Sequence, residues 1–572
     1  MLSWTFGRSR IVQCALKIAH GNSSFVLFFG KREDTSITAI RHTTGSSIHD
    51  EEDKAGRPTT PWVRQVISGV DLMRHPKYNK GLAFSDAERD RLYLRGLLPP
   101  AVLSQEVQLE RTLLNIRSKD SDLEKSTYLQ GLQERNERLF HRVLLENIEE
   151  LLPVVYNPTV RLACQKYGLM FKSLPRGLFI TLEDRGRVFR ILKNWPERNV
   201  KLLVVSDGER VGDLGDLGVQ AVGVPISKIS LYTACGGIPP SIAMPVMIDV
   251  GTDNEELLRS PFYVGVRHRR VRGDPYYEIM DEFLTAVKRR FGNTVLVQFE
   301  EMAYDNASKL LNMYRTEFPC FNDDMTGVAA AVLAGIMAAL PKTGGRLSDH
   351  RIIFVGEGAV VACIAELYAT AVATQTSQTV LDARRRLWLV DAQGLVTRER
   401  GDSSTLESYK LPYCHSGPEC RDLASAVKLL KPTVLVGLST HGTPPFPFTP
   451  EVLQVESVML PSGRTVTPAQ CTSTYIFPGV ALGALISRCT KLRDEQFIAA
   501  AEAVSRMVSE EELSRGSIYP SLCKIRDVAA SVAKAVAQKA YEGGFATALP
   551  KPHNLYEAAR QQMYHPQYRR YR

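Results

Sequence analysis

Downstream of residue 350 the sequence alternates short β-branched runs with helical ones. Residues 351–355 predict a strand, 359–374 a helix, 387–390 a strand, 422–431 a helix and 433–437 a third strand. Few folds accommodate that order, because parallel strands need long crossover connections and the crossover helices must then cover the sheet. The turn Gly356-Glu357-Gly358 falls between the first strand and its helix. Glycines there let the backbone approach a pyrophosphate, and the helix N-terminus offers free N–H groups. Val361 stands where a dinucleotide fingerprint has its third small residue, so the motif is incomplete. Asp391 ends the second strand, where an acid commonly binds a ribose.

Upstream the pattern is different. Residues 85–91 and 106–149 predict helices, the latter with recurring Leu109, Leu113, Leu114, Leu129 and Leu132. After Leu174 short strands are predicted at 178–181, 201–206, 245–250 and 294–299, three of them running directly into polar segments at 207–210, 251–254 and 300–301. In open α/β sheets ligands bind beyond the carboxyl ends of the strands, so these segments are where chemistry is expected. Residues 326–340 form an alanine- and leucine-rich run introduced by Asp323 and Asp324. It is shorter than the ~20 residues that cross a bilayer and reads as a buried helix joining two domains, so no membrane insertion is expected.

At 572 residues the chain needs more than one domain, and 44% apolar with 23% charged residues is the composition of a globular protein. Its net charge of +9 sits at the ends. Arg8, Arg10, Lys17, Lys31 and Arg32 precede the first acid, Glu33, while Lys551, Arg560, Arg569, Arg570 and Arg572 face only Glu557 after Leu549. The body between them is neutral, which argues against a nucleic-acid-binding stripe. An acid-free, Arg- and Ser-bearing N-terminus is expected of a mitochondrial presequence, with a cytoplasmic protein as the alternative. Ten cysteines without a CxxC pair indicate neither a disulfide framework nor a zinc module and fit a reducing compartment. For the basic C-terminal tail, with Tyr564, Tyr568 and Tyr571 among arginines, disorder is favoured over docking on a neighbouring subunit.

Glu300, Glu301, Asp323 and Asp324 form two adjacent acidic pairs at a strand end and a helix start. Acids so placed can converge on a hard divalent cation. Capping of the helix by Asp324, with the glutamates solvated, is the competing reading.

Several strings resemble the malic enzyme family. They include Asn79-Lys80-Gly81, Leu94-Arg95-Gly96-Leu97-Leu98-Pro99-Pro100, Leu152-Pro153-Val154-Val155-Tyr156 and Asp207-Gly208-Glu209-Arg210. Leu231-Tyr232-Thr233-Ala234-Cys235, Ile248-Asp249-Val250-Gly251-Thr252-Asp253-Asn254, Phe321-Asn322-Asp323-Asp324 and Tyr475-Ile476-Phe477-Pro478-Gly479-Val480-Ala481-Leu482 continue the series. The resemblance implies oxidative decarboxylation of L-malate to pyruvate and CO₂ with a nicotinamide cofactor, Mg²⁺ or Mn²⁺, and a homo-oligomer, either dimer or tetramer. It implies Lys228 as general base beside Asp323, Tyr156 as the acid that protonates the enol carbon, and Arg210 as the clamp for a substrate carboxylate. Glu300, Glu301 and Asp324 would hold the metal. Gly356, Gly358 and Asp391 would meet the dinucleotide. Lys410, with Arg398 and Arg400 nearby, favours NADP over NAD through a 2′-phosphate.

The implied fold class is α/β: a mainly helical N-terminal region, a mixed α/β catalytic domain and a Rossmann-like dinucleotide-binding domain missing about two βα units. The expected divisions are 1–56 as targeting extension and linker, 57–326 as catalytic domain, 327–545 as NAD(P)-binding domain and 546–572 as tail. Four departures bear on activity. Glu301 replaces an aspartate of the family, Cys471-Thr472-Ser473 replaces a Gly-Asn-Asn string, and Asp213 replaces a glycine. Near 453–457 the chain lacks a block of about 40–50 residues, the size of two βα units. A catalytically impaired, structural or regulatory relative is therefore the alternative function.

Overall fold

The computed structural model describes residues 13–20, 23–26, 62–63, 67–171, 176–212, 214–356, 358–401, 405–439, 458–459, 465–466 and 471–571. The chain divides into two compact units, Arg32–Thr159 with Met563–Arg572, and Met1–Lys31 with Val160–Gln562.

The first unit is helical. The helix Asp86–Arg91 begins in a capping box between Ser85 and Glu88. The helical stretch expected at 106–149 is several helices: Gln105–Arg117, Asp122–Arg135, Glu137–Glu146 and Ile148–Val155. Ser121 and Asn136 restart it, each accepting from a first-turn N–H with its side chain. Lys80 is buried here and donates to both carboxylate oxygens of Glu88, at 2.9 and 2.8 Å.

The C-terminal tail is ordered within this unit, contrary to the expectation of disorder. Arg570–Tyr571 pairs in parallel with Trp62–Val63. The buried Tyr571 donates its N–H to Glu88 and its hydroxyl to the Tyr78 carbonyl, and its ring stacks on Phe84. Arg138 donates to the carbonyls of His565 and Gln567. The tyrosines are aromatic anchors; the arginines around them gave the segment the composition of a solvated tail.

The second unit holds two large sheets, besides the two-stranded pairing of Val458–Met459 with Thr465–Val466. Numbered from the N-terminus, β1 is Gln13–His20 and β2 is Ser23–Val26. The next five strands are β3 (Leu178–Thr181), β4 (Leu202–Ser206), β5 (Ala243–Asp249), β6 (Leu296–Phe299) and β7 (Cys320–Asn322), and they form an all-parallel sheet ordered β3-β5-β4-β6-β7. Every residue of β4, β5, β6 and β7 is buried, as expected of a parallel sheet covered on both faces. Four of these strands stand close to where the sequence put them. β7 was not foreseen, being only three residues long.

The second sheet contains β8 (Ile352–Gly356), β9 (Leu387–Asp391), β10 (Gly394–Leu395) and β11 (Val434–Ser439), in the order β10-β9-β8-β11-β1-β2. β9 and β11 flank β8 in parallel, which is the predicted β-α-β-α-β unit. β1 lies antiparallel to β11, so two pieces of the expected targeting extension are strands, and the rest of residues 1–56 lies outside the described residues. The expected shortening at 453–457, Asp213 and Glu357 also lie outside them.

The helix Val328–Thr343 continues a π-helical turn at Asp323–Gly327. Together, residues 323–343 are long and apolar enough to cross a membrane, the only such helix among the described residues, yet 67% of the apolar window is buried inside the protein. The expectation of a core helix is met.

Candidate active site

Two adjacent strands, β6 and β7, deliver the acids. Glu300 and Glu301 follow Phe299, while Asp323 and Asp324 follow Asn322, whose side chain caps the π-helical turn by accepting from the Met325 N–H. The amine comes from the helix Gly223–Gly236, which carries Lys228 on a face buried throughout. Lys228 Nζ lies 2.6 Å from Asp323 Oδ2 and 2.8 Å from Glu300 Oε1, and the lysine is 1% exposed. The Phe477 ring centroid is 4.4 Å from the same nitrogen, a cation–π contact that closes its apolar side.

Each partner is held in turn. Gln298 donates to Glu300 at 2.6 Å, and Tyr232 donates to Gln298. Ser473 Oγ donates to Asp323 Oδ2 at 2.7 Å. Sequence reasoning counted Ser473 only within a lost asparagine string; its hydroxyl instead adds a hydrogen bond to the acid that pairs with the lysine. Gly327 makes the close approach possible, since a Cβ there would lie 1.8 Å from Asp323 Oδ1. With Oδ2 committed to Lys228, the carboxylate has no easy way to turn aside. Gly327→Ala is expected to destabilise the protein by about 1–3 kcal/mol, the usual cost of overpacking, read as a lower Tm in thermal unfolding.

Burial pushes the Glu300 carboxyl up to about 8, with Lys228 opposing and Asp324 and Asp323 adding to the rise. Burial likewise raises Asp324 to about 7, and the Glu301 charge adds to it. Buried oxygen donors that repel one another are suited to a hard divalent cation, which would relieve both effects. Glu300 and Asp324 fit that role. Yet among the described residues no three Asp, Glu, His or Cys side chains gather into a ready cage. Glu301 stands on left-handed backbone, with φ +50°, and its Oε2 accepts the Gly212 N–H at 2.8 Å.

Arg210 lies in the loop after β4. Buried Arg270 pins that loop, donating to Asp216 at 2.8 and 2.7 Å and to the Asp207 carbonyl at 3.1 Å. The Arg210 N–H donates to the Glu301 carbonyl at 3.2 Å. Its guanidinium comes within 3.6 Å of where a side chain at Gly358 would begin, so Arg210 and the glycine turn are neighbours. Gly358 has φ +87° and precedes the helix Ala359–Gln375. Gly356 touches the next strand: a Cβ there would lie 2.1 Å from the Leu438 carbonyl oxygen.

At the end of β9, Asp391 is gripped by two cations. Arg400 donates to both its oxygens at 2.7 and 3.1 Å, and Lys410 Nζ lies 2.8 Å from Oδ2. Although burial opposes it, Arg400 and Lys410 hold the Asp391 carboxyl below its usual range. Arg398 takes no part in this grip and donates instead to the Cys414 carbonyl. Tyr156 belongs to the first unit, where it is buried and follows the helix Ile148–Val155.

The structure thus gathers Lys228, Glu300, Asp323 and Asp324, sets Arg210 beside Gly358, and joins Asp391 to Lys410. Ser473, Arg400 and Gln298 were missed as partners. The Ser473–Asp323 bond spans 150 residues and no local pattern marks it, whereas Gln298 and Glu300 lie two apart, the same-face spacing of a strand.

Comparison with known proteins places the chain in a family. Residues 133–315 match the family model of the malic enzyme N-terminal domain. The malic enzyme NAD-binding domain model matches in two segments, 325–460 and 454–541. The chain is 44% identical over 555 residues to a chloroplastic NADP-dependent malic enzyme of Flaveria pringlei, covering 90% of this chain and 85% of that protein. To the NADP-dependent malic enzyme of Vitis vinifera it is 44% identical over 589 residues, covering 95% and 99%. The crystal structure of the Entamoeba histolytica malic enzyme overlays at 20% identity with a TM-score of 0.49, covering 83% of this chain and 91% of that one. A chain that matches both domain models and shares this identity over nearly its full length belongs to the malic enzyme family.

Proposed function

We propose that this protein catalyses the oxidative decarboxylation of L-malate to pyruvate and CO₂ with reduction of NADP. The observation that carries the reading is the buried amine of Lys228, held between Glu300 and Asp323 at the carboxyl ends of β6 and β7. Arg210 would take a substrate carboxylate in its planar fork. The Lys228 ammonium would first pass a proton to Asp323 or Glu300, the acceptors within 2.8 Å. The neutral amine would then remove the C2 hydroxyl proton as hydride leaves C2. Tyr156 would return a proton to the enol carbon. Glu300 and Asp324 would hold Mg²⁺ or Mn²⁺, which when bound supplies Lewis acidity at the substrate oxygen. NADP, bound at the turn with Gly356 and Gly358, supplies the hydride acceptor.

NADP is the favoured cofactor because the relatives at 44% identity are NADP-dependent, and Arg400 and Lys410, balanced here by Asp391 and Glu407, are cations that a 2′-phosphate would engage. Lys410→Gln is expected to raise KM for NADP about tenfold, the equivalent of 1.4 kcal/mol, and to leave KM for NAD nearly unchanged in steady-state assays.

We read 57–326 as the catalytic portion and 327–545 as the dinucleotide-binding portion, shortened near 453–457. The two-segment match supports the shortening. So does the 589-residue alignment, which uses only 95% of this 572-residue chain and leaves several tens of the relative's positions without a counterpart. The same observation favours a second reading, a binding protein without turnover. Purified protein with malate, Mn²⁺ and NADP is expected to generate NADPH absorbance well above a Lys228→Ala control; a rate equal to that control supports the second reading.

No relative named above carries a mitochondrial label, and the Flaveria protein is named chloroplastic. The mitochondrial expectation thus has no support from them, and a cytoplasmic protein is the reading we keep. A homo-oligomer stays a proposal, checked by light scattering.

A further inference from the structure

We propose that Arg161 holds Glu301 away from the cation, so that Glu300 and Asp324 are the only carboxylates in the metal's shell and Arg161 is a positioning residue that sets metal affinity. This rests on the metal-dependent reading above.

All parts of Glu301 are engaged in keeping its carboxylate turned aside. Its N–H donates to Asp324 Oδ2 at 2.7 Å, and its carbonyl accepts from the Arg210 N–H at 3.2 Å. These two bonds hold a backbone at φ +50°, a left-handed conformation that costs a non-glycine residue about 1–2 kcal/mol. Glu301 Oε2 accepts the Gly212 N–H at 2.8 Å, and its Oε1 lies 3.8 Å from an Arg161 guanidinium nitrogen. The methylene that distinguishes glutamate from aspartate supplies reach toward that loop.

Gly212 completes the device. It too is left-handed, at φ +52°, and a Cβ there would lie 2.1 Å from the centre of the Arg161 guanidinium. The guanidinium therefore lies against bare backbone, at a position only glycine leaves open. With Arg161 and Gly212 both facing Glu301, the glutamate is bonded to the loop that carries Arg210. Arg161 also offsets the charge of Glu301, so the cation meets the charge of two carboxylates and fills its other positions with water or substrate oxygens. This accounts for the lack of a three-acid cage among the described residues.

The test is Mn²⁺ binding to the full chain without substrate, followed by the electron paramagnetic resonance of free Mn²⁺ and by calorimetry. Asp324→Asn is expected to weaken binding by about tenfold or more, as loss of a ligand should. Glu301→Gln, which keeps size and shape, is expected to change it by less than about twofold, and Arg161→Ala to tighten it by about threefold or more by releasing Glu301. A loss in Glu301→Gln as large as that in Asp324→Asn would overturn the proposal while leaving the metal-dependent reading intact. Wild type that fails to bind Mn²⁺ while Arg161→Ala binds it supports the proposal. Failure of both to bind would overturn the metal reading and the proposal with it.

Discussion

Lys228→Ala is expected to lower kcat by roughly a hundred- to ten-thousand-fold, the usual contribution of a positioned general base. Two carboxylates lean on this amine, at 2.6 and 2.8 Å, in a site with almost no solvent. Removing one partner of a buried ion pair commonly costs about 3–5 kcal/mol, so the variant should also melt earlier. Thermal unfolding separates the two effects. A variant that melts cooperatively and still gains Tm with NADPH, yet turns over malate at least about a hundredfold slower, locates the loss in chemistry. A variant within about threefold of wild-type kcat would remove Lys228 from the role of base.

Gly356→Ala is expected to abolish dinucleotide binding. Its Cβ would meet the Leu438 carbonyl oxygen at 2.1 Å, and that atom is backbone of β11, paired in register with β8, so it cannot swing away. The strands must separate at the point where the turn to the helix begins. Wild type in a hundredfold excess of NADPH over Kd should be stabilised by about 2.7 kcal/mol, seen as a rise in Tm, and the variant should show none. Gly358→Ala is the contrast. There a Cβ meets only the Arg210 guanidinium at 3.6 Å, so the cost is left-handed strain of about 1–2 kcal/mol and binding should weaken rather than vanish. Equal NADPH stabilisation of Gly356→Ala and wild type would mean that this turn is not the dinucleotide site.

What the sequence disclosed follows a physical division. Strand ends that run into charged residues were legible, because period and turn chemistry are local, and they put Glu300 and Arg210 just beyond strands, with Asp323 at a helix start; the short strand β7 before Asp323 was not legible. The buried helix after Asp324 was legible for the same reason. Contacts between distant segments were not. Ser473 and Asp323 are 150 residues apart, and nothing near either one marks the hydrogen bond between them. Arg398 and Arg400 look equivalent in sequence, yet their spacing along the loop turns only Arg400 to Asp391. Glu300 and Glu301 were read as one acidic pair, and nothing local marks the left-handed φ at Glu301 or its bond to the Gly212 N–H. The tail composition suggested solvent, whereas Tyr571 is packed against Phe84 and bonded to Glu88.

The most direct test of the account is product balance in a single incubation of the purified chain with L-malate, NADP and Mn²⁺. Pyruvate, CO₂ and NADPH are expected in equal amounts, each formed at least about a hundredfold more slowly with Lys228→Ala. NADPH formed without CO₂, or no product above the Lys228→Ala control, would contradict it.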